Sequence, residues 1–191
     1  MLLYRRAASE FKQAKQQAAK LLRAKIQPSN FEVALELDKI AEELEGDGRR
    51  DALARMRKEA LHVMRILESS NPRLTGSVWR GTARRGSDID IIAHSSEPDR
   101  VVEVLKSSNL NILERRVETA NFLNQTRKFV HVKVRLDSGT EVEVVVRGLE
   151  DLGKAERCDI YGDLMVGLSI EDLESLLRSD PLRKFVPRLA S

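Results

Sequence analysis

Apolar residues recur at helical spacing along the first 67 residues of the chain. The pattern over residues 3–26 predicts a helix, which Pro28 ends. Ser29 stands three residues before Glu32, the spacing of a capping box, and this predicts a second helix that continues to about Leu44.

Two glycines, Gly46 and Gly48, predict the end of that second helix. A third helix is predicted from about Asp51 to Leu67. Its apolar stripe, which is typical of a face packed against a core, consists of Leu53, Met56, Ala60, Leu61, Met64 and Leu67. The Ser-Ser-Asn-Pro run at 69–72 then breaks the helical pattern.

Beyond residue 72 the pattern changes and predicts a mixture of strands and helices, with strict alternation of apolar and polar residues at 129–136 and 140–147. Strands are expected at 73–75, 87–94, 111–118, 129–136 and 140–147, and helices at 99–107 and 170–178. Residues 137–139 form a predicted hairpin loop between two strands whose valines line one face. We therefore predict an α+β fold with helices on one face of the sheet, divided into an N-terminal helical extension (1–50), a central domain (51–150) and a C-terminal helical tail (151–191).

Composition describes a charge-rich protein with an aliphatic core. Of the 191 residues, 41% are hydrophobic and 33% are charged, and no stretch has the apolar length of a membrane span. Cys158 has no second cysteine to pair with, and the N-terminus lacks a signal peptide, so we expect a cytoplasmic protein without a membrane partner.

Charge is distributed unevenly along the first 48 residues. Residues 1–30 carry seven basic side chains and one acid, and residues 31–48 carry seven acids and one lysine. Such blocks favour helices that pack on each other or on a partner, and we expect a homodimer through these helices as one possibility. The basic side chains would alternatively bind RNA or simply form a solvated face.

The strand at 87–94 carries two carboxylates on one face. Asp88 and Asp90 are two positions apart, so their side chains point the same way, about 7 Å apart along the backbone. Neighbouring aspartates repel each other unless a cation lies between them. Such a pair could bridge two Mg²⁺ ions, with Mn²⁺ as the alternative ion.

A third carboxylate is expected from the hairpin. Glu141 and Glu143 both lie on the face opposite the valines, so alternation does not separate them. We favour Glu143 because it lies in the middle of its strand, whereas Glu141 is closer to the turn. Lys133 and Arg135 on the same face would contact phosphate or pair with the glutamates.

A Gly-Ser turn precedes the carboxylates. Gly76 would allow a phosphate to approach the backbone closely, and Ser77 adds a hydroxyl. The segment 78–84 could direct helix-terminal N–H groups at that phosphate. Arg80 and Arg84 in this segment, and Arg85 directly after it, would neutralise the charge of a triphosphate. The predicted nucleotide site therefore consists of Gly76, Ser77, Arg80, Arg84 and Arg85. For Trp79 we favour packing beside the turn.

These residues resemble the nucleotidyltransferase superfamily, whose pattern is Gly-Ser, a spacer, and two acids on a strand, with a third acid on a later strand. The run GSVWRGTARRGSDIDIIA is similar to minimal nucleotidyltransferases, and EVEVVV resembles the third-acid strand of archaeal CCA-adding enzymes. The resemblance covers residues 51–150 and implies a DNA polymerase beta-like fold.

The resemblance also implies an activity. Asp88, Asp90 and Glu143 would be the catalytic and metal-binding residues, and they would hold two Mg²⁺ ions. A nucleoside monophosphate would pass from a nucleoside triphosphate such as ATP to a hydroxyl of a protein, an RNA end or a small molecule, with release of pyrophosphate. The alternative is a non-catalytic module of the same fold that binds RNA or a protein partner.

Overall fold

The structure is a computed structural model that describes residues 1–8, 10–122 and 125–187, and it has the predicted α+β fold. Its helices are α1 (Phe11–Leu22), α2 (Asn30–Ile66), α3 (Gly76–Arg80), α4 (Pro98–Ser107) and α5 (Ile170–Ser179). Its strands are β1 (Arg73–Thr75), β2 (Ile89–His94), β3 (Asn111–Phe122), β4 (Gln125–Arg135) and β5 (Glu141–Arg147). Within those residues, no helix combines the length and apolar content that a membrane crossing requires.

The first helix is shorter than predicted. Residues 1–8 fold into turns, and α1 starts at Phe11. The predicted helix start at residue 3 is therefore wrong. The turns bury Leu3 and Ala8 against Ala14 of α1. In one continuous helix, Leu3 would lie too far along the axis to contact Ala14.

The second and third predicted helices are joined. The predicted capping box begins α2, because the Ser29 Oγ accepts from the Glu32 N–H at 3.2 Å and the Glu32 carboxylate accepts from the Ser29 N–H at 2.8 Å. Gly46 adopts φ 52° and ψ −135°, so it kinks the helix where the sequence predicted an end. The chain resumes the helix at once, and the predicted boundary between residues 50 and 51 lies inside α2.

The five strands form a mixed sheet in the order β1-β2-β5-β4-β3. Strands β2 and β5 are parallel, and the other neighbouring pairs are antiparallel. One face packs against the core residues of the helices, as predicted, and its six hairpin valines are all buried: Val130, Val132, Val134, Val142, Val144 and Val146. The opposite face is therefore left for the polar side chains of the same strands.

The segment after β1 is held in the core by an aromatic contact. Trp79 of α3 is only 3% exposed and stacks on Phe185, with the ring centroids 6.5 Å apart. The packing role predicted for Trp79 is confirmed, and this contact fixes the short helix that begins with Gly76 and Ser77.

Candidate active site

Three carboxylates meet at one end of the parallel strand pair. Oxygen atoms of Asp88, Asp90 and Glu143 all lie within 4.8 Å of one another. Asp90 on β2 and Glu143 on β5 are register partners, and Asp88 directly precedes β2. Two neighbouring strands and strand alternation therefore bring together the three acids that the sequence analysis selected.

Glu141 has a different environment from Glu143. Its carboxylate accepts from the Lys133 ammonium at 3.3 Å and from the Arg135 guanidinium at 2.6 Å. The Lys133 ammonium also lies 4.0 Å from an Asp88 oxygen. The two basic side chains thus form the cross-strand pairs that the sequence allowed, and Glu141 lies outside the carboxylate cluster found among the described residues.

Glu143 is held by two neighbours on the polar face. Its carboxylate accepts from the Arg116 guanidinium at 3.1 Å and lies 2.9 Å from the His131 Nδ1. Burial opposes ionisation, but these two partners keep the pKa of Glu143 below its ordinary value. The sequence analysis missed Arg116. Its guanidinium reaches Glu143 because the strand register places Arg116 opposite His131 across β3 and β4.

Asp90 experiences the opposite electrostatic environment. Burial, followed by the charges of Asp88 and Glu143, raises the pKa of Asp90 to about 7, although Lys133 acts against the shift. Carboxylates this close repel each other when they are ionised. A divalent cation that accepts their oxygen atoms as ligands would remove this repulsion.

The carboxylate cluster fits Mg²⁺ or Mn²⁺ by its chemistry. All three side chains offer oxygen ligands, which are the donors that these hard cations prefer. Asp88, Asp90 and Glu143 are the residues that would hold such an ion. Burial and the two neighbouring carboxylates raise the pKa of Asp90, so a cation bound among the three side chains would favour its ionised form.

Gly76 is required by its contact with Asp90. It has φ 65°, and a Cβ built at this position would lie only 1.8 Å from the Asp90 Oδ2. Any other residue would therefore displace a member of the carboxylate cluster. The sequence analysis assigned this glycine to phosphate approach, and the structure adds the approach of the carboxylate itself.

Arg80 lines the same cavity as Gly76 and Asp90, and its guanidinium is paired with Asp163. Its guanidinium donates to both oxygens of Asp163 at 2.7 Å and lies between the Trp79 and Tyr161 rings, 4.2 and 4.7 Å from their centroids. The side chain is almost fully buried. Arg80 therefore has a structural ion pair where the sequence analysis expected a phosphate contact, because the loop that carries Asp163 folds over α3.

The other two predicted arginines lie at the mouth of the site. Arg84 is half-buried and Arg85 is exposed. Both line a basic groove of about 930 Å³, and Arg84 also lines a mostly apolar cavity of about 690 Å³ that contains Gly76, Ser77 and Asp90. The two spaces meet at Asp88, and their volumes are typical of sites for small ligands.

The raised pKa of Asp90 predicts a pH-dependent stability. Between the ordinary pKa of 3.8 and about 7, the unfolded chain releases a proton that the folded protein keeps. The free energy of unfolding should therefore fall as pH rises through this range, by on the order of 2–4 kcal/mol. Urea denaturation of the wild type and Asp90→Asn in EDTA would measure this, and the variant should show a flatter pH dependence. Equal slopes would contradict the prediction.

A family model matches the part of the chain that carries this arrangement. A family model described as "Nucleotidyltransferase domain" matches residues 65–156, which include the Gly76–Ser77 turn and all three carboxylates. No curated protein sequence matches the chain at a significant level.

Several solved structures resemble part of the chain. A cytoplasmic RNA terminal U-transferase is 15% identical with a TM-score of 0.34, and the match covers 58% of this chain and 34% of that one. Cid1 in complex with the UTP analog UMPNPP is 14% identical with a TM-score of 0.35, covering 63% and 37%. The GLD-2/RNP-8 complex is 11% identical with a TM-score of 0.32, covering 64% and 44%.

The chain thus spans less than half the length of these solved structures, and the assignment depends on the family match. That match covers the strands and the turn on which the carboxylate cluster is built. Residues 65–156 therefore match the nucleotidyltransferase domain family.

Proposed function

We propose that the protein is a metal-dependent nucleotidyltransferase that moves a nucleoside monophosphate from a nucleoside triphosphate to a hydroxyl group. The observation that carries this proposal is the cluster of three carboxylates within 4.8 Å, next to the Gly76–Ser77 turn and inside the matched domain. Three half-buried carboxylates this close repel one another unless a cation lies among them, which favours catalysis over the non-catalytic alternative.

The residues have separate roles in this proposal. Asp88, Asp90 and Glu143 would hold the divalent cations, two Mg²⁺ ions by resemblance to the family. Bound cations neutralise phosphate charge and lower the pKa of the acceptor hydroxyl. Gly76 and Ser77 contact the phosphates beside the cluster.

Bond making and bond breaking take place at the α-phosphorus. The acceptor oxygen forms a bond to this phosphorus, its proton leaves to solvent, and the bond to the bridging oxygen of the β-phosphate breaks, so pyrophosphate departs. Arg84 and Arg85 place positive charge at the mouth through which the triphosphate enters. Positioning and charge neutralisation supply most of the rate in this class of reaction.

The acceptor in this proposal is a hydroxyl of a protein, an RNA end or a small molecule. The proposed homodimer through the N-terminal helices is supported by apolar side chains that α1 and the residues after it leave exposed, namely Leu21, Leu22 and Ile26. Burial of such side chains against a second copy would stabilise an assembly.

A transfer assay tests the proposed function. The protein is incubated with Mg²⁺ or Mn²⁺ and each of labelled ATP, CTP, GTP and UTP, in the presence of RNA and of proteins that co-purify with it. We expect pyrophosphate release and transfer of the label, and loss of both in Asp90→Ala. Equal signals from the two proteins would contradict the proposal, and no release with any nucleotide would favour the non-catalytic binding module.

A further inference from the structure

The N-terminal segment, residues 1–8, lies outside the matched domain but forms part of the wall of the candidate active site. Arg6 lines both the basic groove and the apolar cavity. Both spaces also contain Asp88. Arg6 therefore shares both spaces with a member of the carboxylate cluster.

The backbone brings Arg6 close to the loop that carries Asp88. A Cβ built on Gly86 would lie 2.5 Å from the Arg6 Nη2, so the guanidinium lies directly against this glycine, two residues before Asp88. Gly86 has φ 79°, a conformation that favours glycine, and its lack of a side chain leaves room for the Arg6 guanidinium.

Arg6 itself has an unusual backbone conformation. Its φ of 56° is left-handed, which is uncommon for a residue other than glycine and costs free energy. The burial of Leu3 and Ala8 on either side fixes the turn. Strained conformations of this kind persist where the surrounding structure holds them, and they cluster at ligand sites.

Positive charge accumulates here, with three arginines close to one another. Arg6, Arg84 and Arg85 form no ion pair anywhere in the described ranges, 1–8, 10–122 and 125–187. The nearby carboxylate of Glu45 accepts from the backbone N–H of Arg85. Burial, and then the charge of Arg6, lower the pKa of Arg84, although the charge of Glu45 acts in the opposite direction. A bound polyanion would relieve the repulsion between these arginines.

We propose that Arg6 binds the triphosphate of the nucleotide substrate, together with Arg84. This inference rests on the proposed function and adds to it a residue supplied by the N-terminal segment. The triphosphate is favoured over an acceptor phosphate because the cavity that Arg6 and Arg84 share also contains Gly76, Ser77 and Asp90. An arginine guanidinium offers several N–H donors in a geometry that matches phosphate oxygens.

Binding of inorganic tripolyphosphate with Mg²⁺, followed by calorimetry, tests the proposal without a base or a chemical step. We expect the affinity to fall about ten-fold or more in Arg6→Gln and less in Arg6→Lys, which keeps the charge but loses the planar fork. Arg5→Gln is the matched control, because Arg5 is exposed, carries the same charge and lines neither space. Thermal melting verifies that all variants are folded.

The outcomes separate this proposal from the proposed function. Equal affinities in the wild type and Arg6→Gln, or no binding by the wild type, would overturn the role of Arg6. In the transfer assay, Arg6→Gln should raise KM for the nucleotide about ten-fold with little change in kcat, since the contact is made before and during the reaction. If no nucleotide is transferred but tripolyphosphate binding depends on Arg6, the anion site stands and the proposed activity fails.

Discussion

The Glu143→Gln substitution is expected to lower the rate of nucleotide transfer roughly a thousand-fold, because a metal ligand contributes several kcal/mol of charge stabilisation in the transition state. Glutamine has nearly the same shape as glutamate and keeps one oxygen, but it is neutral. Its amide would meet Asp88 and Asp90 within 4.8 Å without contributing negative charge to a cation. The loss should therefore appear in kcat and should not be restored by more nucleotide.

Glu141→Gln is the matched control for this prediction. Glu141 lies two residues away on the same strand and the same face, but its carboxylate pairs with Lys133 and Arg135 and is about one-third exposed. We expect transfer rates within about three-fold of the wild type, because exposed ion pairs contribute little free energy. Steady-state pyrophosphate release would measure both variants. Similar rates for the two variants would rule out Glu143 as the third ligand.

The Arg57→Met substitution is expected to lower the free energy of unfolding by about 3–5 kcal/mol, because it leaves several buried acceptors without a donor. Arg57 of α2 is fully buried. It donates to the carbonyl oxygens of Val78 at 3.1 Å, Trp79 at 2.9 Å, Pro181 at 2.7 Å and Arg183 at 2.9 Å. One side chain thus joins α2, α3 and the C-terminal segment.

Burial explains why the stability of the protein should be sensitive to a substitution of Arg57. It lowers the pKa of Arg57 to about 10, and only the charge of Asp180 acts in the opposite direction. Methionine fills a similar volume but donates no hydrogen bond, so it tests the polar contacts more than the packing. Because two of the acceptors lie in α3, which begins with Gly76 and Ser77, we also expect weaker nucleotide binding.

Urea denaturation measures the effect, with Arg55→Met as the control. Arg55 lies half a turn away on the same helix, is 60% exposed and has one ion pair at 4.0 Å, to Glu59. Its substitution should change the free energy of unfolding by less than about 1 kcal/mol. A loss for Arg57→Met that is no larger than this would show that the four carbonyl contacts do not hold the C-terminal segment.

Local patterns were sufficient for much of the fold. The capping box at Ser29 follows from contacts within a few residues, and the six buried hairpin valines follow from strict alternation. The structure has all five predicted strands, although β3 and β4 extend further towards each other than predicted. The local patterns did not predict the extent of α1 or the continuity of α2 across Gly46. A kinked glycine and an open turn are each compatible with the same local sequence, and packing against other elements selects between them.

The sequence by itself determined that Asp88, Asp90 and one of two glutamates share the polar face of a sheet, because side chains alternate along a strand. Only the tertiary structure decided that Glu143 completes the cluster, since the register between β2 and β5 sets which glutamate stands beside Asp90. It also decided that Arg80 pairs with Asp163 and that Arg6 reaches the site. These contacts join residues that are far apart in the chain, and no local pattern specifies which distant group a long, charged side chain will meet.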